Sequence, residues 1–143
     1  MTHMEYRESN NVLMVRLYQD EDLFAGLREA CLAAGVRTGI VVSGIGMLKQ
    51  AELSFFLKQG QYHTCQFPEP LELVSLTGNA ILQDGDIVFH LHAVLARESK
   101  ETVAGHLSKG KVNVTNEIAI LKTDIPAERK QDPATGLMAL RFR

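Results

Sequence analysis

A single stretch of this chain has the periodicity of an amphipathic helix, whereas almost all of the chain after it has the periodicity of strands. Asp20-Glu21-Asp22 offers a helix N-cap and a favourable negative charge, and Gly35 offers a C-terminal stop. Between them, four apolar residues recur at the spacing of one helix face: Phe24, Leu27, Cys31 and Ala34. One helix among six or more strands predicts an α+β fold with a mainly antiparallel sheet.

The predicted strands are short runs rich in β-branched and aromatic residues, separated by Gly, Pro and Asp-Gly signals. We place them at 11–17, 38–43, 51–57, 62–67, 71–78, 87–95 and 111–121, with a last apolar run at 137–140. Gly44-Ile45-Gly46 lacks the third glycine and the following helix of a dinucleotide-binding fingerprint, so we interpret it as a bend between two strands. Turns are expected at 83–86 and at 132–136.

Length and composition predict one domain over residues 1–143, with a core from about residue 11 to residue 142. The net charge of −2 lacks the basic balance of a dedicated nucleic-acid-binding protein. Small basic groups occur at Lys109 and Lys111, at Arg129-Lys130, and at Arg141 and Arg143. We interpret each group as a solvated face or loop.

The cysteine content and the hydropathy of the chain indicate the cellular compartment in which we expect it. Cys31 and Cys65 are too few and too far apart for a disulfide framework, and Cys31 is expected to be a small buried residue. The first eleven residues lack the apolar core of a signal peptide, and no run approaches the length of a membrane span. We therefore expect a cytoplasmic protein that does not engage a membrane.

Three of the five histidines fall within residues 90–106, and two of these form a His-x-His pair. In a strand, His90 and His92 point to the same face, roughly 6.6 Å apart along the strand axis. His106 follows Gly105, which permits a close approach of the backbone. Three imidazoles without a nearby cysteine are typical of a metal site that keeps an open coordination position.

The strand around this pair is apolar on both faces, so it is predicted to be central and buried. Buried imidazoles need partners, which a shared metal or core hydrogen bonds would supply, and spacing alone does not choose between the two. Glu117 is a candidate fourth ligand or general base, although an outward-facing carboxylate explains it equally well. His3 and His63 are expected at the surface.

Several segments taken together resemble the PPC family, the plant and prokaryote conserved domain. They are Ser43-Gly44-Ile45-Gly46, Ala51 to Phe56, Leu71 to Gly78, His90-Leu91-His92-Ala93, Gly105-His106-Leu107 and Asp132 to Leu137. The resemblance implies a curved, mainly antiparallel sheet with one main helix and short helical segments, assembled as a homotrimer. It also implies that His90, His92 and His106 are the metal ligands, with zinc as the metal. One departure from the family pattern is Ala104, where many relatives have a second glycine.

Three functions follow as expectations. The first is a homotrimeric metal-binding or small-ligand-binding protein with a regulatory role. The second is a DNA-binding protein that acts without the Arg-Gly-Arg-Pro hook of plant members, which would require a trimer to gather the basic residues at 109, 111, 129, 130, 141 and 143 into one patch. The third is a metal-dependent lyase or hydrolase, because the PPC fold is similar to that of acetolactate decarboxylase, which holds zinc with a comparable histidine set. The sequence offers no clear second catalytic group, which does not favour an enzyme.

Overall fold

A computed structural model describes residues 3–143 and shows a strand-dominated chain with one α-helix in that range. The fold class is the predicted α+β class, although the additional short helical segments are not found among residues 3–143. The elements in chain order are β1 (Glu5–Ser9), β2 (Val12–Tyr18), α1 (Leu23–Ala33), β3 (Thr38–Lys58), β4 (Gln61–Phe67), β5 (Leu71–Gln83), β6 (Asp86–Ala96), β7 (Thr102–Thr123), β8 (Ala127–Gln131) and β9 (Met138–Phe142).

Seven strands form one antiparallel sheet in the order β1-β2-β7-β6-β5-β3-β4, and β8 and β9 form a separate hairpin. An additional pairing joins β7 to β3. Because β7 also pairs with β6, β6 with β5 and β5 with β3, the four strands close into a ring. This closure gives the sheet its curvature and places the core inside the roll.

The two longest strands, β3 and β7, make the closure possible because each takes part in the sheet twice. The first half of β3 pairs with β5 and with the end of β7, whereas its second half pairs with β4 and with the start of β7. The predicted break at 44–46 is therefore wrong: β3 continues through it with register shifts at several points. Gly46 absorbs one of these shifts at a φ of 136°, where an added Cβ would lie 2.0 Å from the carbonyl oxygen of Thr115.

Helix α1 packs on the roll and closes its core. Its N-cap is Asp22, whose side chain accepts a hydrogen bond from the Ala25 N–H, and Gly35 follows the helix at a φ of 69°, as the sequence predicts. Leu27 and Cys31 are buried as expected. Phe24 lies at the margin of this face, where its ring meets the ring of Phe89 edge-on at 5.9 Å. Within residues 3–143, no helix has the length and apolar character needed to cross a bilayer.

Candidate metal centre

The three histidines of the predicted site come from two neighbouring strands. His90 and His92 lie on β6, and His106 lies on β7 directly opposite His92. The β6–β7 ladder runs from the Ala96–Thr102 pair to the His92–His106 pair, so the histidines lie where this pairing ends. Beyond that point β6 remains paired on its other side with β5, where Asn79 lies opposite His90.

The imidazole rings form a nearly equilateral triangle. The ring centroids are 5.1 Å apart for His90 and His92, 5.4 Å for His90 and His106, and 5.6 Å for His92 and His106. The Nε2 atoms of His90 and His92 are 3.2 Å apart, and one donor nitrogen from each of the three rings lies within 4.8 Å of the others. Nitrogens bound to one tetrahedral zinc ion are separated by roughly 3.3 Å, so this donor set fits a metal ion with little side-chain movement.

The prediction that both faces of β6 are buried is wrong for the histidine face. Leu91, Ala93 and Leu95 are buried in the roll, but His90 and His92 are exposed to a surface pocket. Their face is open because it turns away from the core enclosed by the ring of strands. The pocket walls still displace enough water to lower the pKa of His90 and of His106 below the ordinary value of 6.5. The neighbouring Arg129 and His92 lower the pKa of His90 further.

The histidines share a pocket of about 860 Å³ with mostly apolar walls. Phe55, Phe56 and Tyr62 contribute from the β3–β4 hairpin, and Met138 and Leu140 contribute from β9. The two hairpins approach each other at their turns, since a Cβ on Gly136 would lie 2.9 Å from the Gln59 side chain. A concave apolar pocket with a few convergent polar groups is typical of a small-ligand site.

Arg129 also lines this pocket, although no sequence motif indicates a role for it. The sequence predicts a solvated cation here, but the exposed fraction of Arg129 is 6%. The Gln83 side chain holds its backbone with two hydrogen bonds, from the Arg129 N–H to Oε1 at 2.7 Å and from Nε2 to the Arg129 carbonyl at 3.1 Å. Its guanidinium donates to Oδ1 of Asn79 and to the carbonyl of Met138. Arg129 is therefore fixed beside Asn79, the residue opposite His90.

The structure does not bring Glu117 to the three histidines. Glu117 is exposed on the second half of β7, opposite Arg16 of β2 and Ile45 of β3, and it lines a different surface depression. This placement agrees with an outward-facing carboxylate, and it separates Glu117 from the three histidines as a fourth ligand. The carboxylate that does line the histidine pocket is Asp132, which accepts hydrogen bonds from the Ala134 N–H and the Thr135 hydroxyl within its own turn.

Two of the remaining five basic residues lie beside carboxylates. Lys109 lies 3.6 Å from Glu52, and Arg143 lies 3.8 Å from Glu128. Lys130 and Arg141 are exposed on the face of the β8–β9 hairpin opposite Arg129. His3 and His63 are exposed, as expected.

Fold and site together define a class of protein: a rolled antiparallel sheet with one helix, carrying three convergent histidines in an apolar pocket. The family model of the Plants and Prokaryotes Conserved (PCC) domain matches residues 4–124. The chain belongs to this family, which confirms the resemblance carried by its sequence motifs.

Solved structures with the same fold include three whose sequences are 25% to 27% identical to this chain. A protein from Bacteroides thetaiotaomicron, named as a candidate DNA-binding protein, is 26% identical with a TM-score of 0.90, covering 97% of each chain. A plant- and prokaryote-conserved protein from Pyrococcus horikoshii is 27% identical with a TM-score of 0.79, covering 97% of this chain and 96% of that one. A protein from Archaeoglobus fulgidus, described as metal-containing, is 25% identical with a TM-score of 0.81, covering 99% of each.

Curated relatives include the bifunctional protein GlmU of two Synechococcus strains. They are 30% identical over 138 residues and 31% identical over 136 residues, and each alignment covers 94% of this chain. The chain spans about a fifth of the length of these relatives, since it covers 21% of each.

Proposed function

We propose that this protein is a metal-dependent small-ligand-binding protein in which His90, His92 and His106 hold one zinc ion. The observation that carries the proposal is the convergence of three donor nitrogens within 4.8 Å in a pocket of about 860 Å³. Three histidine ligands leave at least one zinc position open to a ligand from the pocket. We include a regulatory role in the proposal, with ligand occupancy as the signal.

Zinc is the metal that the family resemblance implies, and a donor set of three imidazoles with no thiolate or carboxylate suits it. Imidazole suits zinc, copper, iron and nickel, whereas calcium and magnesium require oxygen ligands. The lowered pKa values of His90 and His106 keep these rings neutral at pH 7, which is the state that binds a metal. The relative from Archaeoglobus fulgidus, described as metal-containing, supports a metal in this fold.

The test is elemental analysis of untagged protein after exposure to zinc at pH 7.5. We expect about one zinc per chain in the unaltered protein and none in the His90→Ala/His92→Ala double variant. The matched control is His63→Ala, which removes an exposed histidine outside the pocket and should keep the metal. A parent protein that binds no zinc, or a double variant that binds as much as the parent, would refute the site.

We also propose that the chain assembles as a homotrimer, as its family resemblance implies. An outer patch of exposed apolar residues on β2 and β3 supports assembly, because soluble monomers rarely leave such faces bare. The members of this patch are Val12, Met14, Ile40 and Ile45. They lie on one face of the sheet because their register partners on β7 are Leu121, Ala119 and Glu117, which alternate along that strand.

DNA binding is the alternative that the name of the relative from Bacteroides thetaiotaomicron supports. The charges of this chain do not favour it, because Arg129 is buried and Lys109 and Arg143 lie beside carboxylates. Fluorescence anisotropy with an A·T-rich duplex at 50 mM and 200 mM salt distinguishes the two. Binding that falls steeply with added salt would favour the DNA alternative, since affinity from phosphate contacts is salt-dependent.

A metal-dependent lyase or hydrolase is the second alternative. A three-histidine zinc ion can polarise a carbonyl or activate water, but catalysis also requires a group that transfers protons. Asp132 is the pocket carboxylate, and its hydrogen bonds to Ala134 and Thr135 commit it to the turn. Turnover of a carbonyl substrate by the zinc-loaded protein, abolished in the double histidine variant, would favour this alternative over ligand binding.

A further inference from the structure

We propose that Arg129 is the anion-recognition residue of the histidine pocket, and that the ligand is a small monocarboxylate with an apolar tail. The inference deepens the proposed function by naming the ligand class. It rests on that function only for the contact with the metal, because the arginine and the apolar walls are present without it.

The first argument is the uncompensated charge of Arg129. Its exposed fraction is 6%, yet no ion pair joins it to a carboxylate anywhere in residues 3–143. Its two hydrogen-bond acceptors, Oδ1 of Asn79 and the carbonyl of Met138, are both neutral. Its buried Nε has no acceptor within the described chain. A buried cation without an anion is unfavourable, and a bound anion would relieve that cost.

The second argument is the fixed position of this side chain. The Gln83 side chain pairs with the Arg129 backbone in both directions, and Asn79 orients the guanidinium. A guanidinium has five N–H donors, and two of these in Arg129 have partners, which leaves donors for a ligand. A pre-oriented arginine recognises a carboxylate with less loss of side-chain freedom than a mobile surface cation would.

The third argument is the relation of Arg129 to the histidines. Arg129 contacts Asn79, and Asn79 lies opposite His90 in the β5–β6 register. A carboxylate bound by the arginine would therefore lie on the side of the pocket where Asn79 faces His90, beside the proposed metal site. The rest of the ligand then faces Phe55, Phe56 and Phe89, which favour an aryl or alkyl tail.

The decisive experiment compares an acid with its uncharged amide on metal-free protein. The probes are 3-phenylpropanoate and 3-phenylpropanamide, which share the apolar tail and differ in charge, and binding is followed by NMR chemical shifts of the histidine rings. We expect the acid to bind at least about tenfold more tightly than the amide. Equal binding of the two probes would overturn the proposal, and this comparison needs no variant that could misfold.

A pair of variants then assigns the effect to one residue. Arg129→Gln removes the charge, and its expected result is loss of the preference for the acid. Lys130→Gln is the matched control, because it removes the next cation along β8, which is exposed on the other face. Acid binding that weakens as much in Lys130→Gln as in Arg129→Gln would overturn the assignment. If Arg129→Gln does not fold, Arg129→Lys replaces it as the test. Lysine keeps the positive charge but lacks the planar guanidinium, so this variant should retain only part of the preference for the acid over the amide.

The two proposals fail in different ways. A protein that binds no zinc refutes the proposed metal function but leaves the acid–amide difference of the metal-free protein intact. A protein that binds zinc but shows no acid–amide difference refutes the role of Arg129 alone. Inorganic phosphate is the third probe: if it binds at the same histidine rings and the acid does not, the carboxylate class is wrong.

Discussion

His92 of β6 lies directly opposite His106 of β7, and this pair is the last one in the ladder between the two strands. The ladder ends at the residues that face the pocket, so the backbone itself sets the distance between two of the three donor rings. His90, two residues before His92 on β6, contributes the third ring. A metal ion at this point would link the two strands where their hydrogen bonding stops, which couples metal binding to the stability of the roll.

The first prediction concerns this coupling. If the proposed site holds zinc only in the folded chain, zinc at about one hundred times its dissociation constant should stabilise the folded protein by about 2.7 kcal/mol. For a chain of this size each kcal/mol raises Tm by roughly 2–4 °C. Thermal unfolding with zinc and with a chelator measures the shift, which His106→Ala should abolish and His63→Ala should leave intact. An equal shift in His106→Ala would show that zinc binds elsewhere.

The second prediction concerns pH in the metal-free protein. Partial burial is the main cause that lowers the pKa of His90 and of His106 from 6.5. Because the unfolded chain then binds protons more readily, the free energy of unfolding should fall as pH decreases from about 6.5 towards the lowered folded-state pKa values. Above pH 6.5 the contribution is complete and the curve should be flat. Urea unfolding between pH 5 and pH 8 measures this, and a His90→Gln/His106→Gln variant should show a smaller slope.

The third prediction concerns the two thiols. Burial raises the pKa of Cys31 to about 12, whereas Cys65 is exposed on β4. At pH 8, Ellman's reagent should therefore modify one thiol rapidly in the native protein and the second only after unfolding. Cys65→Ser should remove the rapid reaction. Two rapidly reacting thiols in the native protein would contradict the burial of Cys31.

The fourth prediction concerns assembly through the outer patch. The side chains of Met14 and Ile45 are 58% and 50% exposed, and both lie on the face that Glu117 and Ala119 share. A Met14→Lys/Ile45→Glu variant should shift the mass from three chains towards one in light scattering after size exclusion. Leu32→Glu changes an exposed apolar residue on α1 and is the matched control. A variant that stays trimeric would place the interface elsewhere, and a monomeric parent would refute the trimer.

The histidine pair could be predicted from the sequence because side chains alternate between the two faces of any strand, which requires only local information. His90 and His92 share a face in any strand, and the turn signals place that strand correctly within about a residue of its observed bounds. The pairing of His106 with His92 is a long-range contact, and the family resemblance rather than the spacing indicated it. The glycines at 44 and 46 predict a break because glycine is a common break signal, whereas in the structure they let the single strand β3 bend.

The burial of Arg129 in the pocket could not be predicted from the sequence. Its neighbours Glu128 and Lys130 make the segment resemble a solvated loop, and the short strand β8 has no apolar run. Burial of Arg129 depends on Gln83 and Asn79, which lie more than 40 residues away and have no charge to suggest a partner. Glu117 is the converse case, because an apolar context suggested chemistry for a residue that faces outward.

The last prediction concerns the close approach of β5 to β6 beside His90. Gly78 has a φ of 143°, and an added Cβ would lie 1.9 Å from the His90 carbonyl oxygen, so Gly78→Ala must push the two strands apart. Gly85→Ala is the control, because Gly85 also has a positive φ, 77°, but an added Cβ meets nothing within 4 Å. Both variants incur backbone strain, of about 1 kcal/mol or more, and the clash should add at least about 2 kcal/mol in Gly78→Ala alone.

Urea unfolding measures that difference, and zinc content measures its effect at the site. Because His90 belongs to the segment that must move, Gly78→Ala should bind zinc more weakly even under conditions in which it is folded. Gly85→Ala should keep the parent's zinc content, since its strain is confined to the turn between β5 and β6. Equal stability of the two variants would show that β6 shifts freely at His90, and the geometry of the three rings would then depend on the metal rather than on the strands.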